Sequence, residues 1–288
     1  MTGASVREAL QSAVDALAAM GVDEPRLDAE LLLGEAMGCE CAALIADGAA
    51  EVPAPAGRLF GEMVRRRLRR EPVAYILGRK GFRNLDLAVD SRVLIPRPET
   101  ELLVELAVEM EARSVLDVGT GSGAIALAIA DELPGCEVTA TDTSPAALEV
   151  AEANAERLGL ADRVRFLDGT LPEAGEFDLV LANLPYVAER EWPSLQPEVT
   201  QWEPREALLA GPDGLDAYRT FFPPGRVAAF TRIAEESGNS ATRAVAVEVG
   251  EGQAGAVAAL MRESGFERVE TRRDLAGIER VVFGRVAA

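Results

Sequence analysis

Three glycines at alternate positions, Gly119, Gly121 and Gly123, follow the apolar run Val115-Leu116-Asp117-Val118 and precede a helix-forming stretch. Glycine lets a backbone turn sharply and approach a ligand with no side chain in between. The helix start beyond it offers free N–H groups to a carboxylate or phosphate. With Thr120 and Ser122 between the glycines, this is a loop that could cradle an adenosine-bearing cofactor. The next strand ends at Asp142, whose carboxylate can accept from both hydroxyls of a ribose. The following one ends at Asp168-Gly169, where a carboxylate can accept from an adenine amino group. To this point a nicotinamide dinucleotide and S-adenosylmethionine fit equally well.

A fourth strand separates them. It runs into Asn183-Leu184-Pro185-Tyr186, an amide side chain followed by a proline and an aromatic ring. Asn183 Oδ1 and the carbonyl of residue 184 or 185 can each accept one N–H of a planar NH2 group, and Tyr186 can pack against its plane. A nicotinamide enzyme has no use for such a cradle, whereas methyl transfer to an amide or amine does.

These residues need elements to hold them. Strands are expected at 114–118, 137–141, 164–167, 178–182, 244–249, 267–272 and 280–285, with helices at 123–132, 145–158, 214–221 and 252–264. The alternation predicts an α/β domain: a parallel sheet covered on both faces, with its ligand at the carboxyl ends of the strands. Upstream, Leu85, Leu87 and Val89 alternate with Asp86, Ala88 and Asp90 as in a half-buried strand. Residues 93–95 are its expected partner, closed by Pro96-Arg97-Pro98, and 100–111 reads as an amphipathic helix. The first 75 residues read as helices only. Val6, Leu10, Val14 and Leu17 recur at helical spacing, and Val52-Pro53-Ala54-Pro55 is expected to break the chain before a helix over 59–70. The expected organisation is a helical bundle at 1–78 serving recognition, a β-hairpin linker at 79–97 and a catalytic domain at 98–288. The stretch 221–243 reads as irregular.

Composition removes whole classes of chemistry. Histidine is absent, so His-based triads, His general bases and His-ligated metals are excluded. Cys39 and Cys41 are too closely spaced for a zinc knuckle, and no metal is expected. No apolar run approaches the ~20 residues that span a bilayer. The first residues lack the layout of a signal peptide, and three cysteines point to the reducing cytoplasm. Residues 81–288 carry 19 basic and 36 acidic side chains, a balance of −17 that repels a phosphate backbone. Neither nucleic acid nor membrane is therefore an expected direct partner. Arg65, Arg66, Arg67, Arg69 and Arg70 are the exception; they read as a solvated helix face, or else as a docking patch for an acidic or RNA-bearing partner.

Beyond the loop from Asp117 to Gly123 and the tetrapeptide, further stretches stand out. They are Pro72 to Gly78 with Phe82, the run Leu94-Ile95-Pro96-Arg97-Pro98-Glu99-Thr100-Glu101, and Glu248-Val249-Gly250 with Arg273-Asp274 and Glu279-Arg280. On these residues the chain resembles, over nearly its full length, the bacterial release-factor glutamine methyltransferases, the HemK/PrmC family. The family usually has Asn-Pro-Pro-Tyr. Leu184 in place of the first proline looks like the version in ribosomal-RNA adenine dimethyltransferases, and Gly169 stands where relatives often carry a larger residue.

The resemblance implies a class I S-adenosylmethionine-dependent methyltransferase, Rossmann-like, with a seven-stranded mostly parallel sheet and an N-terminal helical bundle. It implies methylation of the side-chain amide of the glutamine in the Gly-Gly-Gln motif of class 1 peptide chain release factors, with S-adenosylhomocysteine as the other product. The alternative is an rRNA adenine N6-methyltransferase. The implied catalytic residues are Asn183, Pro185 and Tyr186, and the implied substrate-binding residues are these with Leu184 and Phe82. Cofactor binding falls to Gly119, Thr120, Gly121, Ser122, Gly123, Asp142, Asp168, Gly169 and Asn183, and a monomer is expected.

Overall fold

A computed structural model describes residues 4–171, 177–224 and 244–285. The chain divides into two compact units, one of residues 1–79 with 196–202, the other of residues 80–195 with 203–288. Most of the stretch expected to be irregular, 225–243, lies outside the described residues.

The first unit is helical: α1 (Val6–Ala19), α2 (Pro25–Met37), α3 (Cys41–Ala46), α4 (Ala54–Leu68) and α5 (Val73–Leu77). Ser5 and Glu8 form a capping box that starts α1, and Gly38 ends α2 in the left-handed conformation. The core is built from Leu10, Leu17, Leu32, Leu33, Phe60 and Met63. Helix α4 starts five residues earlier than its apolar spacing suggested. Pro53 is its N-cap and Pro55 lies in its first turn, where the missing N–H costs nothing, so the prolines initiate the helix.

The arginine run is a solvated face only in part: Arg65 and Arg69 are exposed, and the others are paired. Arg67 follows Phe60 and Met63 at helical spacing, is 6% exposed, and bonds Asp28 and Glu198, both at 2.6 Å. Arg70 bonds the other Glu198 oxygen at 2.6 Å, and Arg66 pairs with Glu71. Glu198 belongs to a short helix, Pro197–Trp202, whose neighbour Gln196 donates to Asp23 at 2.8 Å. Three arginines are thus spent on internal pairs.

A two-stranded hairpin, β1 (Arg79–Phe82) and β2 (Leu85–Ala88), starts on Arg79 and otherwise belongs to the second unit. This corrects the expected pairing of 85–89 with 93–95. The chain turns at once through Arg83, whose φ of 50° suits a two-residue hairpin turn, so the preceding strand takes the partner's place. Helix α6 (Glu101–Glu109) follows, then β3 (Ser114–Val118), α7 (Ala124–Glu132), β4 (Glu137–Asp142), α8 (Pro145–Leu158), β5 (Val164–Asp168) and β6 (Leu179–Ala182). The helix 197–202 is α9, and α10 (Asp216–Phe221), β7 (Ala244–Glu248), α11 (Ala254–Ser264), β8 (Glu267–Arg273) and β9 (Glu279–Arg285) complete the chain.

Seven strands form one sheet in the order β5-β4-β3-β6-β7-β9-β8, in which only β9 runs antiparallel to its neighbours. Strands β6 and β7 are buried at every residue, as central parallel strands covered on both faces must be. Val115 and Leu181 pack into one apolar layer with Leu103, Leu106 and Ile129; Leu116, Val180 and Val247 pack into the other with Tyr218, Phe222 and Met261. The strand order reverses around β3. Its carboxyl end, beside that of β6, is where a ligand crevice is expected.

Candidate active site

The loop after β3 is shaped by bonds on its inner side. The N–H groups of Gly119 and Thr120 donate to the Thr141 carbonyl at 2.8 and 2.9 Å, drawing the loop over β4. All three glycines have positive φ, at 75°, 56° and 84°. They do different work. A methyl group on Gly123 would lie 2.9 Å from Leu127 Cδ1 and 3.3 Å from Ala151, so this glycine serves the close packing of α7 on α8. A methyl on Gly121 would meet nothing within 4 Å. Thr120 donates its hydroxyl to Asp117 Oδ2 at 2.6 Å, and the buried Ser122 gives its carbonyl to Asn154 Nδ2 at 2.9 Å.

Asp117 is wholly buried under this loop, and its Oδ1 has no hydrogen-bond partner. Burial pushes its carboxyl up to about 7, against the pull of the Thr120 hydroxyl and the Ala126 N–H. The folded protein therefore keeps a proton that the unfolded chain gives up near 3.8, and rising pH favours the unfolded chain until the native group also ionises. The wild type should lose stability relative to Asp117→Asn as pH rises from about 4 to about 7, by on the order of a few kcal/mol, and not beyond. Melting curves of the two proteins across that range check this; a constant gap would mean Asp117 is ionised in the fold throughout.

Asp142 ends β4. Its Oδ2 accepts the Gly121 N–H and its Oδ1 the Ser144 N–H, both at 2.9 Å, which leaves each oxygen a further lone pair. Gly119, Gly121, Asp142, Gly169, Asn183, Leu184 and Pro185 line one cavity at the carboxyl ends of β3, β4 and β6. The same cavity is also lined by residues for which no site role was expected: Arg92, Val93 and Leu94, with Pro204, Glu206 and Ala207. Glu203 braces both stretches, accepting the Ile95 N–H at 3.1 Å and pairing with Arg97 at 2.5 Å.

Asn183 follows directly on β6. Its Nδ2 donates to Thr100 Oγ1 at 3.1 Å, and Thr100 in turn donates to Glu248 Oε2 at 2.5 Å. Glu248 closes β7, is 2% exposed, and burial pushes its carboxyl up to about 7. Neither Thr100 nor Glu248 was expected in the site. A carboxylate ending the otherwise apolar strand Ala244–Glu248 was the available signal, since glutamate is almost never fully buried without a partner.

Several expected residues lie elsewhere. Phe82 is 2% exposed and packs in the apolar layer with Leu87 and Leu103, because the hairpin turns its ring inward. It supports the fold and does not line the cavity. Asp168 sits in register with Asp142 but is exposed and off the cavity wall; its neighbours Gly169 and Thr170 line it instead. Thr120, Ser122 and Gly123 face inward as described and shape the loop without lining the cavity. Tyr186 borders a neighbouring cavity with Gly250 and Gln253. A methyl on Gly250 would lie 3.0 Å from the Tyr186 ring, and burial pushes the phenol up to about 12.

A seven-stranded, mostly parallel sheet with a glycine loop and an acidic strand end at its switch point defines a class I S-adenosylmethionine-dependent methyltransferase. A methyltransferase from Pyrococcus furiosus shares this fold, with a TM-score of 0.51 at 17% identity over 73% of this chain and 92% of that one. Residues 8–78 match the family described as PrmC N-terminal domain, and residues 98–199 the one described as Methyltransferase small domain. The release factor glutamine methyltransferase of Moorella thermoacetica is 44% identical over 285 residues, 96% of each chain. That of Caulobacter vibrioides is 40% identical over 284 residues, 96% of this chain and 95% of its own. The chain belongs to the release factor glutamine methyltransferase family.

Proposed function

We propose that this chain methylates the side-chain amide nitrogen of the glutamine in the Gly-Gly-Gln motif of class 1 release factors, using S-adenosylmethionine. The observation that carries the reading is Asn183, whose carboxamide is anchored through Nδ2 at the wall of the cavity that also holds Asp142 and the glycine loop. The residues fit the cofactor. Asp142 keeps lone pairs for two ribose hydroxyls, and Gly121 opens without a side chain. When bound, S-adenosylmethionine supplies an electrophilic methyl group.

An amide nitrogen is a poor nucleophile because its lone pair is delocalised into the carbonyl, so the chain's task is orientation. Asn183 Oδ1 and the carbonyl of Leu184 or Pro185 each take one of the two N–H hydrogens of the glutamine and direct its lone pair. Alignment of this kind contributes up to roughly 7–11 kcal/mol in favourable cases. The same acceptors stabilise positive charge as it builds on that nitrogen, and the surplus proton leaves to solvent. Tyr186, outside the cavity wall, holds the tetrapeptide in place through its packing on Gly250.

Leu184 gives up proline's rigidity but packs against the apolar layer around Val180 and Tyr218, which replaces part of the constraint. The helical unit grips the release factor, and a single chain acting in the cytoplasm suffices; no described helix is long and apolar enough to cross a membrane. Incubation with methyl-labelled cofactor, a release factor and ribosomal RNA should label the Gly-Gly-Gln glutamine, read by mass spectrometry, and leave the RNA unlabelled. Label on RNA adenine with none on the protein would establish the alternative.

A further inference from the structure

We propose that Glu248, acting through the Thr100 hydroxyl, decides which end of the Asn183 carboxamide faces the substrate. The inference rests on the reading of Asn183 as the holder of the glutamine amide. A carboxamide is nearly symmetric in shape, and sterics do not distinguish its oxygen from its nitrogen; only hydrogen bonding does. If the NH2 group faced the substrate amide, donor would meet donor and the glutamine would not be held.

The geometry prevents this. A threonine hydroxyl has one hydrogen to give. Here it points at Glu248 Oε2, 2.5 Å away, leaving a lone pair toward Asn183 at 3.1 Å. That lone pair can only receive, so Asn183 must present Nδ2 to Thr100 and turn Oδ1 away from it. Glu248 closes the chain because Oε2 takes the hydroxyl hydrogen in either state, as an oxygen of the ionised carboxylate or as the carbonyl oxygen of the protonated acid. The three residues come from separate elements. Strands β6 and β7 pair through Ala182 and Val247, so Asn183 and Glu248 each stand one residue past the last paired position. Thr100 immediately precedes α6 and is 3% exposed. The Tyr218 hydroxyl holds the Glu248 backbone carbonyl at 2.7 Å and so steadies the end of β7. Glu248 makes no contact with the cavity and is a positioning residue.

The test compares Thr100→Val, Thr100→Ser, Glu248→Gln, Asn183→Ala and the double variant Asn183→Ala/Thr100→Val. Rates of methyl transfer to a release factor are measured, with affinity for S-adenosylhomocysteine by calorimetry. Thr100→Val should lower kcat about tenfold or more, the cost of a misdirected buried donor, with cofactor affinity unchanged. Thr100→Ser keeps the hydroxyl and should restore the rate. Glu248→Gln has the same shape but can donate to Thr100, and should lose activity in part while folding normally. In the Asn183→Ala background, Thr100→Val should cost nothing further, since the residue through which it acts is gone. Wild-type kcat in both Thr100→Val and Glu248→Gln would overturn the proposal, as would a Thr100→Val penalty undiminished in that background. Wild-type turnover by Asn183→Ala alone would instead overturn the underlying role of Asn183.

Discussion

Replacing Asn183 by alanine should cut turnover at least about 100-fold, since misplacing reacting groups by ~1 Å can cost that much, while the melting temperature barely moves. The side chain is half-buried and bonds Thr100 through Nδ2, so its removal leaves the sheet and both apolar layers intact. The reaction loses more. One hydrogen of the glutamine amide is left unpartnered at about 1–3 kcal/mol, and the nitrogen is free to rotate out of line. Single-turnover methylation beside a thermal melt separates the two effects. Turnover at the wild-type rate would remove Asn183 from the reaction, and a large fall in melting temperature would make it structural.

Asp142→Ala should weaken S-adenosylmethionine binding by about 10- to 150-fold, because hydrogen bonds to a charged acceptor contribute about 1.5–3 kcal/mol. Two losses combine: the ribose hydroxyls lose their acceptor, and the N–H groups of Gly121 and Ser144 lose the carboxylate that fixes the loop against β4. Asp142→Asn should also be impaired, because its amide nitrogen confronts one of those two donors. Calorimetry with S-adenosylhomocysteine checks both variants. Unchanged affinity, or tight binding of a nicotinamide dinucleotide, would displace Asp142 from the cofactor site.

Hydrophobic period carried most of the sheet. All seven of its strands lie within a residue or two of where runs such as 178–182 and 244–249 put them, because β6 and β7 are buried on both faces and leave an unbroken apolar trace. Period says that a residue is buried, not what buries it. Leu85 and Leu87 were correctly inward, yet their partner strand was misassigned, since the turn at Arg83 carries no glycine to mark it. Arg67 shared the period of Phe60 and Met63 but was read as solvated by its charge; its partner Glu198 lies far along the chain. Thr100 and Glu248 stood in stretches that carried the resemblance but were given no place in the site, for the same reason. A hydrogen-bonded chain across three elements has no spacing in sequence, whereas Asn183, Asp142 and the glycines announce themselves within short local patterns.

Helix α9 has a consequence for how the protein is made. Arg70 and its partner Glu198 are 128 residues apart, and almost everything between them belongs to the other unit. A ribosome adding ~5–20 residues per second delivers the second partner roughly 6–25 s after the first. Throughout that interval the nascent bundle holds Arg67 with Asp28 as its carboxylate partner and lacks its last helix. The first unit to leave the ribosome is therefore completed only after the glycine loop and the Asn-Leu-Pro-Tyr turn have been synthesised. Translation speed through residues 71–202 thus sets how long the unfinished bundle is open to chaperones and proteases.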